Sequence, residues 1–526
     1  MKRLFLLLAA AAALGAAACS GGGSGITPPP PTGGFTNASL KGTYVFSMSG
    51  RTIDQNFGVS NFARIGTFIA DGLGNISNPG GIEDVHIFGS DNIFAFTGGS
   101  YTVNADGRGT LSLINSSGTS QYSITLASSS SGYIVAMPTD GSSTASGNFQ
   151  LQSATTLASN TYTFDFSGIV PDDTGNPVSI IGEFTPNGAC AVSCGVTNTS
   201  FEDVNDNGNF ITKASLSGGT LTTDNANPGS GRGTATLGGL DYVFYVIDDQ
   251  HVQFMAIDQD PNAPGTALGE AAAQQAGVPN NVSAFNNSNF VFVMGGSSGA
   301  GPVTRAGRLT ASGGNLSAIL LDNNNAGQSV QVPLLNTGTI TLDGDNSGRG
   351  TMTFTDTATH TGTYTFVFYL NSASQGVIQD VSAVLINNVP SAVDVADGNL
   401  AGQSGAPFTS SSFATNYAIT WSGVTSDEED LVGHFAPATT GSNGLADWNE
   451  FGNGKQFTSV PLNGVITLGG DGTGSTGKHT TFVATLQQPT VNPVNFFAYI
   501  ADANTIYIMA TGTQRVALGV LTAQNP

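Results

Sequence analysis

The chain is short of charge, and above all of positive charge. Only 10% of its 526 residues are charged, and 14 lysines and arginines stand against 36 acidic residues, giving a net charge of −22. No basic cluster occurs after residue 3. Gripping a phosphate backbone needs several cations on one face, so nucleic acid is excluded as a partner. The same shortage argues against adhesion to an anionic lipid surface through protein charge. Histidine is scarce as well. His86, His251, His360, His434 and His479 fall at unrelated positions and form no short-spaced pair, which leaves zinc without a ligand set. No nucleotide-binding glycine loop precedes a helix, and no Gly-x-Ser-x-Gly elbow occurs. No catalytic constellation is visible, so neither an enzyme nor a cofactor is expected. Hydrophobic runs are limited to Leu4–Ala18, which is too short to span a bilayer as a helix.

What is abundant is glycine, with 71 residues, set among 39% hydrophobic residues. That combination excludes a disordered chain, which couples low hydrophobicity to high charge. It suits short strands joined by tight turns, where glycine and asparagine accept positive φ. One hairpin recurs. Tyr101–Leu113 contains Gly107-Arg108-Gly109, Thr222–Leu237 contains Gly231-Arg232-Gly233, and Thr339–Phe354 contains Gly348-Arg349-Gly350. A fourth copy, Ile466–Phe482, has Asp471-Gly472-Thr473-Gly474, with threonine in place of the arginine. The glycines read as turn and bulge residues, and the arginine as a soluble side chain lying along a neighbouring strand.

The hairpin divides the chain into four units of about 120 residues. Each opens with an aromatic strand: Tyr44 and Phe46, Tyr162 and Phe164, Phe290 and Phe292, Tyr417 and Trp421. A third strand in each carries an acid, Asp84, Asp203, Asp322 or Asp447, read as a solvated side chain. Period-2 alternation predicts strands throughout. One stretch, Ala267–Gln275, has the composition of a short helix between units two and three. The expected fold is all-β, with four tandem antiparallel units. Each unit is an eight-stranded meander barrel, since closure removes exposed edges, with a β-sandwich as the alternative. The long loop after the first strand, Arg51–Asn61, resembles that of the lipocalin-like barrels in architecture. Expected boundaries are 1–18 for a signal peptide, 19–37 for a tether, and 38–153, 154–276, 277–404 and 405–526 for the four units. The short polar linkers are compatible with a stiff rod or with loosely strung beads.

The leader is Lys2-Arg3, the apolar run, then Ala16-Ala17-Ala18-Cys19. It resembles the bacterial lipoprotein signal, departing from it at Ala16, where that family has leucine. The resemblance implies cleavage before Cys19 and lipidation of Cys19, palmitate included. The serine after the cysteine implies outer-membrane sorting. The Gly- and Pro-rich stretch behind it fits a tether that is part flexible coil and part polyproline II spacer. Cys190 and Cys194 are then expected to form a local disulfide in an oxidising envelope.

Three acidic stretches resemble the first half of a calcium loop: Asp203, Asn205 and Asn207; Asp343 with Asp345; and Asp258, Asp260 and Asn262. None has a closing glutamate, and plain turns use the same residues, so no metal is expected. The functional expectation is an envelope-anchored β-repeat lipoprotein with a structural or interaction role. It is held to the membrane by its N-terminal lipid and faces an unidentified protein or glycan. The alternative is a set of barrels that hold small hydrophobic or glycan ligands between the first-strand aromatics. A third reading, an envelope hydrolase, has no constellation of residues to support it.

Overall fold

The computed structural model describes residues 34–526 apart from 55–57, 170–175, 259–265, 357–361, 383–384, 387–388, 391–393, 438–443, 452–454, 470–478 and 488–491. The leader, Cys19 and most of the tether therefore lie outside the described residues, as do Asp260 and Asn262, and Asp471–Gly474 of the fourth hairpin. Residues 31–526 form one compact unit.

Four antiparallel barrels follow one another along the chain. The first runs from Lys41–Asp54 to Ser143–Leu151, and these two strands pair with each other, Phe46 opposite Phe149. The third barrel closes in the same way between Ser288–Ser298 and Val395–Gly402. The fourth is a closed eight-stranded barrel from Tyr417–Val424 to Val516–Ala523. In the second, Tyr162–Ile169 pairs with Ala267–Ala273, and Ser193–Gly195 lies along Thr220–Thr223. Alternation explains the closure. Even-numbered residues of the first strand point inward (Tyr44, Phe46, Met48), while Val45 packs outside against the next barrel.

Two expectations are corrected. Ala267–Ala273 is the eighth strand of barrel two, bonded on one side to Tyr162–Ile169 and on the other to His251–Ala256. Two ladders outweigh the few tenths of a kcal/mol per residue by which alanine and glutamate favour a helix (roughly 0–0.7 across ordinary residues). The loop after the first strand is also largely ladder: Arg51 pairs with Asn61, Thr52 with Ser60 and Ile53 with Val59. Barrel one therefore carries a projecting hairpin there, not an overhanging loop.

The interiors are filled by aromatic rings. Tyr44 stacks on Phe68, with centroids 5.4 Å apart, and Tyr162 on Phe184 at 5.3 Å. Each barrel is plugged at one end by an apolar residue that precedes its first strand: Phe35, Leu157, Phe285 and Phe408, all at most 3% exposed. The inward glycine of the second strand makes room for these rings. A Cβ on Gly307 would sit 2.3 Å from Phe292 Cζ, and one on Gly182 would sit 2.7 Å from Phe164 Cζ.

The barrels form neither a rod nor strung beads. The outer face of the first two strands of each barrel packs on the last three strands of the next. The apolar seams are Ile65 and Val45 on Tyr245 and Met255, Ile181 on Val367 and Tyr369, and Val291 on Phe497 and Met509. Barrel four then repeats the arrangement on barrel one, where Val432 meets Val135 and Met137. A heterologous contact that returns to its starting member after four steps is a closed ring.

Candidate functional site

The seams between barrels are where the repeated polar residues gather. In the hairpin of barrel two, Arg232 Nε and Nη2 donate to the two carboxylate oxygens of Asp84 in barrel one, at 2.8 and 2.6 Å. Arg349 of barrel three does the same to Asp203 of barrel two, at 2.7 Å for both bonds. A tyrosine completes each site: Tyr245 Oη donates to Asp84 and Tyr369 Oη to Asp203, both at 2.6 Å. Behind each arginine stands a local acid, Asp224 at 3.0 Å and Asp343 at 3.1 Å. These are charge-assisted, bidentate pairs held in a buried setting.

The electrostatics follow from burial. Desolvation alone would lower the Arg232 and Arg349 guanidiniums, but the hydrogen bonds and charge of Asp84 and Asp203 outweigh it and hold both above their ordinary value. Burial, reinforced by the same carboxylates, pushes the Tyr245 and Tyr369 phenols well up, so both stay protonated and donate.

The reading of the arginine as a surface side chain, and of the third-strand acids as solvated, is therefore corrected. Asp84, Asp203, Asp322 and Asp447 are all buried. Both partners of each pair come from a repeat position, but from different barrels. The glycines have separate tasks. Gly231, at φ +72°, leaves space for the Gln152 amide, 2.5 Å from where a Cβ would be, and a Cβ on Gly350 would meet Phe368 Cζ at 2.3 Å.

Two further repeated residues were missed in the sequence. A glutamine follows the last strand of every barrel and reaches into the next. Gln152 Nε2 donates to the Ser230 and Val246 carbonyls, Gln274 to those of Ser347 and Leu370, and Gln403 to that of Ile500. Gln524 donates to the Asp106 and Leu126 carbonyls of barrel one at 2.9 and 2.8 Å. Two residues after the third-strand acid stands an asparagine, and its amide bridges two carbonyls of the next barrel. Asn205 holds Asp380 and Asp394, Asn324 holds Ala510 and Arg515, and Asn449 holds Ala136 and Ser143. His86 occupies this position in barrel one. Recurrence of Gln152, Gln274, Gln403 and Gln524 at the unit ends was the available signal.

The seams are not identical. Arg108 Nη1 lies 3.6 Å from Asp447, while its Nε turns to its own Asp106 at 3.0 Å. At the seam of barrels three and four, His479 Nδ1 lies 3.3 Å from Asp322, which also receives the Tyr499 hydroxyl. Thr481 pairs with Phe497, so counting back places His479 opposite Tyr499, as Arg349 is opposite Tyr369. Histidine therefore fills the arginine's register position in barrel four, and neither His86 nor His479 is placed at random. The seam between barrels two and three also buries Asp165 and Asp397 together. Burial, and for Asp165 the facing carboxyl, raise both carboxyls above their ordinary value, Asp165 well above it.

The remaining sequence candidates are placed as follows. Cys190 and Cys194 form a disulfide, with Cys190 in the core of barrel two. Asp203 and Asn205 are committed to the seam, and Asn207 sits in a turn at φ +46°. Asp343 and Asp345 both accept from Lys213 Nζ, at 2.8 and 2.6 Å. Among the described residues no group of three or more His, Cys, Asp or Glu is placed to hold a metal ion.

The barrel ends opposite the plugs differ. In barrel one, the partly buried Arg64 lies in the lumen with Glu83 at 3.5 Å, Ser120 at 3.2 Å and Tyr122 at 3.3 Å. In barrel three, Arg305 pairs with Asp380 and Asp394 and donates to Asn323 Oδ1 at 2.9 Å. Barrel four has a cavity of about 710 Å³ at that end, among Trp448, Leu486, Val494 and the loops carrying Thr425 and Arg515.

No protein-family model matches the chain, and no curated protein matches it. Among solved structures, a double mutant of transferrin-binding protein B from Haemophilus parasuis aligns at 9% identity and a TM-score of 0.20, covering 75% of this chain and 83% of its own. The isotype 1 transferrin-binding protein B of serogroup B Neisseria meningitidis aligns at 10% identity and 0.18, covering 75% and 84%. Scores this low carry no argument about the fold or the function of this chain.

Proposed function

We propose that the chain is an envelope-anchored interaction protein, its ring of barrels serving as a rigid platform for a protein or glycan partner. The observation that carries this reading is the closed ring itself. Buried Arg–Asp–Tyr sites, glutamine latches and apolar seams are spent on fixing the barrels against one another. The barrel interiors are mostly filled by aromatic and aliphatic side chains. Such a body offers its loops and projecting hairpins at fixed spacings, which favours multi-point contact because little ordering entropy is lost on binding.

The anchoring half rests on the leader and Cys19. Gly34, the first described residue, lies against Pro526. Cys19→Ser should move the protein from the membrane fraction to the soluble envelope fraction, and unchanged membrane association would refute lipidation. The interaction half is tested by photo-crosslinking in intact cells from the exposed hairpin tips at Ile53 and Ile211, 53% and 54% exposed. A discrete adduct supports a partner, and adducts from neither tip count against this reading.

A further inference from the structure

The cavity in barrel four occupies the place where barrels one and three are filled by polar side chains. Arg64 and Arg305 stand opposite Met48 and Met294 on the first-strand ladder, and the residue so placed in barrel four is Leu431, opposite Trp421. Asn323, which holds Arg305, follows Asp322, and the residue following Asp447 is Trp448. Asp356 ends the strand Arg349–Asp356 of barrel three, and Tyr364 is the third residue of the next, Gly362–Leu370. The matching residues in barrel four are Leu486 and Val494, since Asp356 pairs with Gly362 as Leu486 pairs with Asn492. Four polar members of that lumen cluster, Arg305, Asn323, Asp356 and Tyr364, are thus exchanged for apolar residues, while Asp394 corresponds to Arg515 at the rim, and open space of about 710 Å³ lies there.

That volume lies within the ~300–1,000 Å³ range of small-molecule sites. Its walls are Trp448, Leu486, Val494 and, from a hairpin of barrel three, Ala326. Its rim carries Thr425, Ser426, Thr513, Gln514 and Arg515. The rim is built, because Asn324 Nδ2 of barrel three donates to the Arg515 carbonyl at 2.7 Å and to the Ala510 carbonyl at 2.8 Å, pinning both ends of that loop. Gly327 packs so closely on Thr513 that a Cβ there would lie 2.7 Å from the Thr513 carbonyl oxygen. Arg515 is the one charged residue in the lining, and its Nε and Nη2 face the buried Glu429 carboxylate, so its charge is met within the protein.

We propose that this end of barrel four is a binding site for an uncharged amphipathic small molecule. An aliphatic or aromatic body packs on Trp448, Leu486 and Val494, and a hydroxyl- or carbonyl-bearing head meets Thr425, Ser426, Thr513 and Gln514. The site goes beyond the partner-binding role and is complete only when barrel three is seated against barrel four.

The test uses the purified full chain and the neutral fluorophore N-phenyl-1-naphthylamine. It is competed by n-octyl-β-glucoside below its micelle concentration and, separately, by octanoate. The expected result is saturable binding of one fluorophore per chain, with the glucoside displacing it at least tenfold more effectively than octanoate. Val494→Tyr, which restores the barrel-three residue, and the rim variant Thr425→Trp should each weaken binding at least tenfold. Thr425 lies on a loop outside the core, so its variant remains informative if Val494→Tyr fails to fold. Absence of saturable binding, or binding unchanged in Thr425→Trp, overturns the site. Octanoate competing better than the glucoside overturns the uncharged head group.

Discussion

Arg349 and Asp203, 146 residues apart in the chain, share two parallel hydrogen bonds of 2.7 Å across the boundary between two barrels. Arg232 and Asp84 repeat the relationship one barrel earlier, with a separation of 148 residues. Each pair is out of water, and removal of one member leaves the other charge buried alone. Asp84→Ala or Arg232→Ala should therefore destabilise the chain by about 3–5 kcal/mol in urea unfolding. In a double-mutant cycle the two should be strongly coupled. Arg108→Ala should cost less, because its contact with Asp447 is longer, at 3.6 Å.

Seam-specific latches predict local effects. Gln524→Ala removes two bonds to barrel-one carbonyls and leaves both acceptors buried, a loss of about 1–3 kcal/mol. Amide hydrogen exchange should speed up on both sides of the seam between barrels four and one, and stay slow at the other three seams. Uniform loosening would mean that the latch does not act locally.

At the seam of barrels three and four, a histidine occupies the arginine's place and carries a charge only when protonated. His479→Arg should raise the unfolding midpoint at pH 8, where an arginine is fully charged against Asp322. The gain should be absent in an Asp322→Asn background. A gain that survives in that background would place its origin elsewhere.

The closing seam also predicts a pH dependence. Burial raises the Asp430 carboxyl to about 6, partly offset by hydrogen bonds from Ser146 and Thr144 of barrel one. Its folded value lies above its unfolded one, so the folded state holds the extra proton. Its contribution is most favourable below the unfolded value and is lost as pH rises through about 6. Wild type should therefore gain stability relative to Asp430→Asn, on the order of 1–2 kcal/mol, between pH 7.5 and pH 5. A pH-independent difference between the two would contradict this.

The barrels were legible in the sequence because their signals are local: alternation, turn glycines and a hairpin that repeats. The ring was not, because the contacts that make it join residues far apart in the chain, from 73 positions for Gln274 and Ser347 to 418 for Gln524 and Asp106. Arg232 read alone is a turn arginine, and Asp84 read alone is a polar strand residue. Only the pairing of one repeat position with another, one barrel on, gives them a role. Ala267–Ala273 failed for the opposite reason. Its local preference was clear, and two flanking strands overrode it. The exchange of Arg305, Asn323 and Tyr364 for Leu431, Trp448 and Val494 was visible as letters. Its meaning needed the ladder register that aligns the barrels.

The central claim is that barrel four closes onto barrel one. Ser128 and Asn525 form a parallel β-bridge across that closure, so their backbones are near neighbours. Ser128→Cys with Asn525→Cys, in the chain that keeps Cys190–Cys194, provides the measurement. The ring predicts spontaneous intramolecular disulfide formation, seen as faster migration in non-reducing gels and by peptide mapping, with unfolding cooperativity preserved. Free thiols at both positions under oxidising conditions, or disulfides only between chains, would show that barrels four and one are not held together.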